Sequence, residues 1–100
     1  MFLLTIAAVK EGSPSNLELE YLAGMIAEKW RPLGRRLGFE EWELTGFDRD
    51  NKEYTEKAYA MLLAWKQRKG REEATYQVLK EALCDETLVG RTDLAEKFCY

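Results

Sequence analysis

The sequence predicts an all-α fold, an antiparallel bundle of six short helices. Three observations predict it. From residue 15 onward apolar residues recur at three- and four-residue spacing, and the two-residue alternation of a half-buried strand is missing. Turn-forming residues cluster at 11–15, 38, 48–52, 69–70 and 87–92 and cut the chain into segments of helical length. The links between segments are short, which makes sequential helices mostly antiparallel neighbours. One hundred residues, 46% apolar and 33% charged, suit one small domain with a single core.

The first helix opens on Ser15-Asn16-Leu17-Glu18, a capping box in which serine and glutamate satisfy reciprocal backbone amides. Leu17, Tyr21, Leu22, Met25 and Ile26 then form one stripe expected to face the core, and Gly24 is expected to permit close packing. The second helix starts near Trp30 with Pro32 in its first turn, buries Trp30, Leu33 and Leu37, and stops at Gly38. The third runs over residues 40–47. Glu40 and Glu41 suit its positive end, Leu44 and Phe47 anchor it, and Gly46 makes it marginal.

The fourth helix carries Tyr54, Ala58, Met61, Leu62 and Trp65 on one stripe, with Glu53 placed to pair with Lys57. Its basic end complements the helix dipole, and Gly70 terminates it. The fifth presents Thr75, Val78, Leu79, Ala82 and Leu83 on one face, with Glu72 and Glu73 in its first turn. The sixth opens at Thr92 as N-cap, with Asp93 behind it, and turns Leu94, Ala95 and Phe98 inward. Trp30 and Trp65 are core residues. Residues 2–9 are the only long apolar run, far short of the roughly twenty residues of a membrane span. The run reads as a short strand or helix within a flanking segment, 1–14, ahead of a domain at 15–100.

Composition removes several function classes. Histidine is absent, so there is no imidazole to serve as base, ligand or switch near neutral pH. Cys84 and Cys99 are too few for a disulfide scaffold or a closed zinc site and read as free thiols of a reducing, cytoplasmic compartment. A net charge of −3 lacks the basic excess of a nucleic-acid binder. No catalytic pair, metal site or cofactor is expected, and no membrane contact by this segment.

The residues that name a family are Trp30, Leu37-Gly38, Leu44 with Phe47, Met61-Leu62-x-x-Trp65, Gly70-x-x-x-Ala74-Thr75, Leu79-x-x-Ala82-Leu83 and Asp93-Leu94-Ala95-Glu96. In that order and spacing the chain resembles a death domain over more than four fifths of its length. Its phrasing is similar to the death domains of tumour-necrosis-factor-type receptor tails, of the Fas-associated adaptor and of the receptor-interacting kinase. Gly46 departs from the polar residue usual at its place. The resemblance implies a six-helix Greek-key bundle that catalyses nothing and binds other death domains, or its own kind, in apoptotic or inflammatory signalling. The alternative is a structural or autoinhibitory death domain, as in ankyrins and netrin receptors, packing on neighbouring domains of a longer protein. A helix-turn-helix nucleic-acid binder is a third, weaker reading.

Partner binding is expected from the charges between the core letters. Arg31, Arg35 and Arg36 form a basic group, Glu40, Glu41, Glu43, Asp48 and Asp50 an acidic one, and Lys66, Arg68 and Lys69 a second basic group. Opposed patches of this kind suit head-to-tail pairing. Trp42 lies off the core stripe, and two placements stay open: in a partner, or folded back over Phe39 or the N-terminal run.

Overall fold

A computed structural model describes residues 8–87 and 89–100. The described part is helical, with no strand: α1 (Asn16–Ile26), a 3-10 turn (Ala27–Lys29), α2 (Trp30–Arg36), α3 (Glu41–Asp50), α4 (Tyr54–Glu73), α5 (Tyr76–Leu83) and α6 (Thr92–Cys99). The apolar run expected to pack as a strand or helix falls, over residues 2–7, outside the described residues.

Local chemistry starts the helices. The Ser15 hydroxyl accepts the Glu18 N–H at 3.1 Å while the Glu18 carboxylate accepts the Ser15 N–H at 3.0 Å, closing the capping box. Glutamates do the same at α3 (Glu40 with Glu43) and α4 (Glu53 with Glu56). α4 is the central helix. α1, α2 and α3 pack against it, α5 pairs with α6, and α6 closes onto α1. Leu22, Ile26, Leu33, Leu44, Met61, Leu62, Trp65 and Leu83 are fully buried between these layers. Each large side chain removed from water contributes about 1.5–3 kcal/mol.

Several expectations shift in detail. α1 is rotated from its expected phase: Leu19, Leu22, Ala23 and Ile26 face the core, whereas Leu17, Tyr21 and Met25 are exposed. Gly24 has no packing neighbour, since a Cβ there would meet nothing within 4 Å. α3 continues through Gly46 to Asp50, so residues 48–50 are helix rather than turn. Tyr54 is exposed at the start of α4, and Lys57 reaches Asp48 instead of Glu53, whose carboxylate is taken up in its own cap.

Gly70 breaks α4 at φ 78°, ψ 172°, as a terminating glycine should, yet one further turn holding Glu72 and Glu73 follows on the α4 side. α5 therefore starts later, with Thr75 as cap, Tyr76 buried and Val78 exposed. Thr92 is the first helical residue of α6 rather than its cap. Arg91 holds the N-cap position without a side-chain capping bond, and its guanidinium bridges the Asp93 carboxylate (3.0 Å) and the Met25 carbonyl (3.2 Å).

Residues 9–14 belong to the body. The Lys10 N–H donates to the Cys99 carbonyl at 2.7 Å and the Tyr76 N–H to the Gly12 carbonyl at 3.0 Å. Pro14 is fully buried and Val9 packs against the core.

Candidate partner-binding surface

The α2–α3 corner is set by close packing. Gly34 is buried in α2, and a Cβ on it would lie 2.6 Å from Leu44 Cδ2 and 3.4 Å from Met61 Cγ. Only a glycine lets α3 and α4 come this near. Gly38, at φ 101°, then reverses the chain between the buried Leu37 and Phe39.

This seating brings the arginines of α2 onto the carboxylates of α3. Arg35 pairs with Glu41, and Arg31 reaches Glu41 Oε1 at 3.3 Å and Asp48 Oδ2 at 3.5 Å. Lys57 of α4 closes the series on Asp48. Arg68 pairs with Glu43, and its guanidinium stacks 4.7 Å from the centre of the Phe39 ring. Hydrogen bonds from Arg35, Arg68 and Lys57 respectively hold the Glu41, Glu43 and Asp48 carboxyls below their ordinary values. The expected opposed patches are therefore one interleaved network, because two helices of opposite charge lie side by side.

The remaining expected residues scatter. Arg36 turns away to Asp85 at 2.7 Å, and Asp50 pairs with Arg49. Glu40 caps α3 and is exposed. Lys66 donates to Asn16 Oδ1 at 3.0 Å, on the α1 side of α4. Lys69 is exposed and makes no ion pair among the described residues. Spacing did not reveal the Lys57–Asp48 and Arg36–Asp85 pairs, since both cross between elements distant in the chain, and it passed over Arg49, which pairs with the adjacent Asp50.

Trp42 is 76% exposed. The place over Phe39 is already filled by Arg68 and by Phe47, whose ring meets Phe39 edge-on at 5.5 Å. Trp42 instead borders an open groove of about 740 Å³ with Gly46, Phe47, Arg49 and Arg68. No helix among the described residues is long and apolar enough to cross a membrane.

The family model described as Death domain matches residues 16–99. Among curated proteins, tumor necrosis factor receptor superfamily member 1A of Bos taurus is 38% identical over 68 residues, covering 67% of this chain and 14% of that protein. Its Sus scrofa counterpart is 32% identical over 85 residues, covering 84% and 18%. The Rattus norvegicus counterpart is 37% identical over 68 residues, covering 67% and 15%. The chain thus spans less than a fifth of the length of these relatives.

Proposed function

The chain belongs to the death-domain family, a family of protein-interaction modules in apoptotic and inflammatory signalling, and we propose that it works by associating with other death domains. The observation that carries this reading is the α2–α3 face, where exposed Trp42 stands beside an ion-pair network. Exposed ion pairs of this kind contribute little to folding, so exchanging them for pairs across an interface costs the domain little. Tryptophan and arginine lead binding hot spots, and a mixed-charge rim fixes register.

The chain acts without catalysis, in the cytoplasm, on death-domain partners that include its own kind. Heterologous contacts between copies extend into open assemblies when they do not close. Assembly raises the effective concentration of whatever the neighbouring chains carry. One observation favours the structural alternative: residues 9–14 are fastened to α5 and α6, so a preceding domain would be held close to the bundle.

Light scattering against concentration tests the reading. Mass that grows with concentration, shrinks with added salt and is abolished by Arg35→Glu with the melting temperature kept supports it. A strict monomer that retains no other death domain on a column counts against it.

A further inference from the structure

Residues 9–14 form a strap over two helix ends. The Gly12 carbonyl accepts the N–H of Tyr76, the first residue of α5, and the Lys10 N–H donates to the Cys99 carbonyl at the end of α6. Lys10 Nζ reaches the Glu18 carboxylate at 3.2 Å and lies 5.3 Å from the centre of the Tyr76 ring, whose hydroxyl donates to the same carboxylate. Ser13 does not fit its place in this strap. Its Oγ is shut off from water and has no hydrogen-bond partner, and no other side-chain nitrogen or oxygen among the described residues is left so. A buried hydroxyl without a partner weakens the fold, and alanine would avoid the loss. Ser15 and Thr75, by contrast, cap helices, and Thr87 is bonded to Asp85. No contact within the chain accounts for a serine at 13.

Its setting in the sequence does. Ser13 is the only serine or threonine of the chain followed by proline. Proline holds the residue before it in extended backbone, the form in which kinases take a substrate hydroxyl, and proline-directed serine kinases require that dipeptide. We propose that Ser13 is a phosphorylation site for a proline-directed kinase, and that the phosphate releases the strap from α5 and α6. The site stands whether or not the domain associates through Trp42. The hydroxyl attacks the γ-phosphorus of ATP. A P–Oγ bond forms as the β–γ bridging bond breaks, ADP leaves, and the hydroxyl proton passes to the kinase's base. Local opening brings Ser13 to the kinase, since the strap has no helical ladder and is held by two backbone bonds, the Lys10–Glu18 pair and the packing of Val9 and Pro14. Once modified, Ser13 cannot return. The phosphate brings about −1.5 to −2 of charge and three acceptor oxygens to a spot where no donor reaches Oγ. Glu18, which accepts the N–H of Ser15 two residues on, repels it. Lys10, three residues back, is drawn from Glu18 to the phosphate, which undoes the side-chain clasp as well. Release gives the Tyr76 N–H and the Cys99 carbonyl to water and lets the chain ahead of α1 leave the bundle.

Treatment with a purified proline-directed kinase, magnesium and ATP, followed by mass spectrometry and amide exchange, tests this. One phosphate is expected on Ser13 of the natural chain and none on Ser13→Ala, which should melt at or above the natural temperature. Exchange at the Lys10 and Tyr76 amides is expected to quicken roughly tenfold or more in the phosphorylated chain, while Leu62 and Trp65 stay protected. Lys10→Ala, which loosens the strap, is expected to take phosphate about threefold faster in the folded chain but no faster in a free peptide of residues 8–17. A natural chain that takes no phosphate overturns the proposal, whether or not the peptide is modified, and so does phosphate on Ser15 instead. Lys10 and Tyr76 amides that stay protected after phosphorylation overturn the release, as does a loss of protection throughout the domain. Early melting of Ser13→Ala gives the hydroxyl a structural role and also overturns it.

Discussion

Replacing Gly34 with alanine tests whether α3 is seated on α2 as described. Helix propensity alone predicts a gain of about 1 kcal/mol for glycine to alanine inside a helix. The new Cβ, however, would lie 2.6 Å from Leu44 Cδ2, about 1 Å inside ordinary contact, with Met61 Cγ at 3.4 Å behind it. Leu44 and Met61 are fully buried, so a displaced side chain has to repack against core neighbours rather than swing into solvent. Overpacking of this kind costs about 1–3 kcal/mol. The loss outweighs the gain by about 1 kcal/mol, which lowers the melting temperature by roughly 4–8 °C in a domain this size. Thermal melts followed by circular dichroism read this directly. Leu44→Val in the same background withdraws the colliding methyl, so the double substitution should cost less than the sum of the singles. Gly46→Ala is the control, and it should stabilise because its Cβ meets only the end of Arg49. Gly34→Ala melting at or above the natural chain, or strict additivity with Leu44→Val, refutes this seating and with it the alignment of Arg31 and Arg35 on Glu41.

Other consequences follow from the titratable groups. Burial works to raise the Glu18 carboxyl, but hydrogen bonds from Tyr76, the Ser15 N–H and Lys10 outweigh it and hold the group below its ordinary value. Its contribution is therefore complete above the unfolded carboxyl value near ~4.3 and is lost as pH falls through the lower folded value. Urea midpoints of Glu18→Gln should lie below those of the natural chain at pH 7, and the two should converge in acid. Burial, aided by the bond to Glu18, pushes Tyr76 up to about 12, so a late step in an alkaline absorbance titration should vanish in Tyr76→Phe. Burial, with Cys84 nearby, raises the Cys99 thiol to about 11. Peptide mapping after iodoacetamide at pH 8 should find Cys99 unmodified in the native chain and alkylated in guanidinium.

Helix existence was legible where a start signal or an apolar stripe marks the helix, as the Ser15–Glu18 box and the Ala58–Met61–Leu62–Trp65 stripe show. Phase was less legible in α1. Apolar residues occupy both Leu17–Tyr21–Met25 and Leu19–Leu22–Ile26, so periodicity offers two faces and only packing on α4 selects one. The candidate surface was half legible. The arginines and glutamates were visible as local runs, but their pairing depends on Gly34, whose role appears only when α3 and α4 close over it. Trp42 could be placed only once Arg68 and Phe47 were seen to cover Phe39.

The three tryptophans allow the most direct test of association through the α2–α3 face. Trp30 and Trp65 are 3% and 1% exposed, against 76% for Trp42. In nitrogen-labelled protein their indole N–H signals can be followed by NMR from dilute to concentrated solution. Association through this face moves the Trp42 signal and the amides of residues 31–49 together as mass grows, while the Trp30 and Trp65 signals hold still. Growth in mass with the Trp42 signal unmoved would contradict the account.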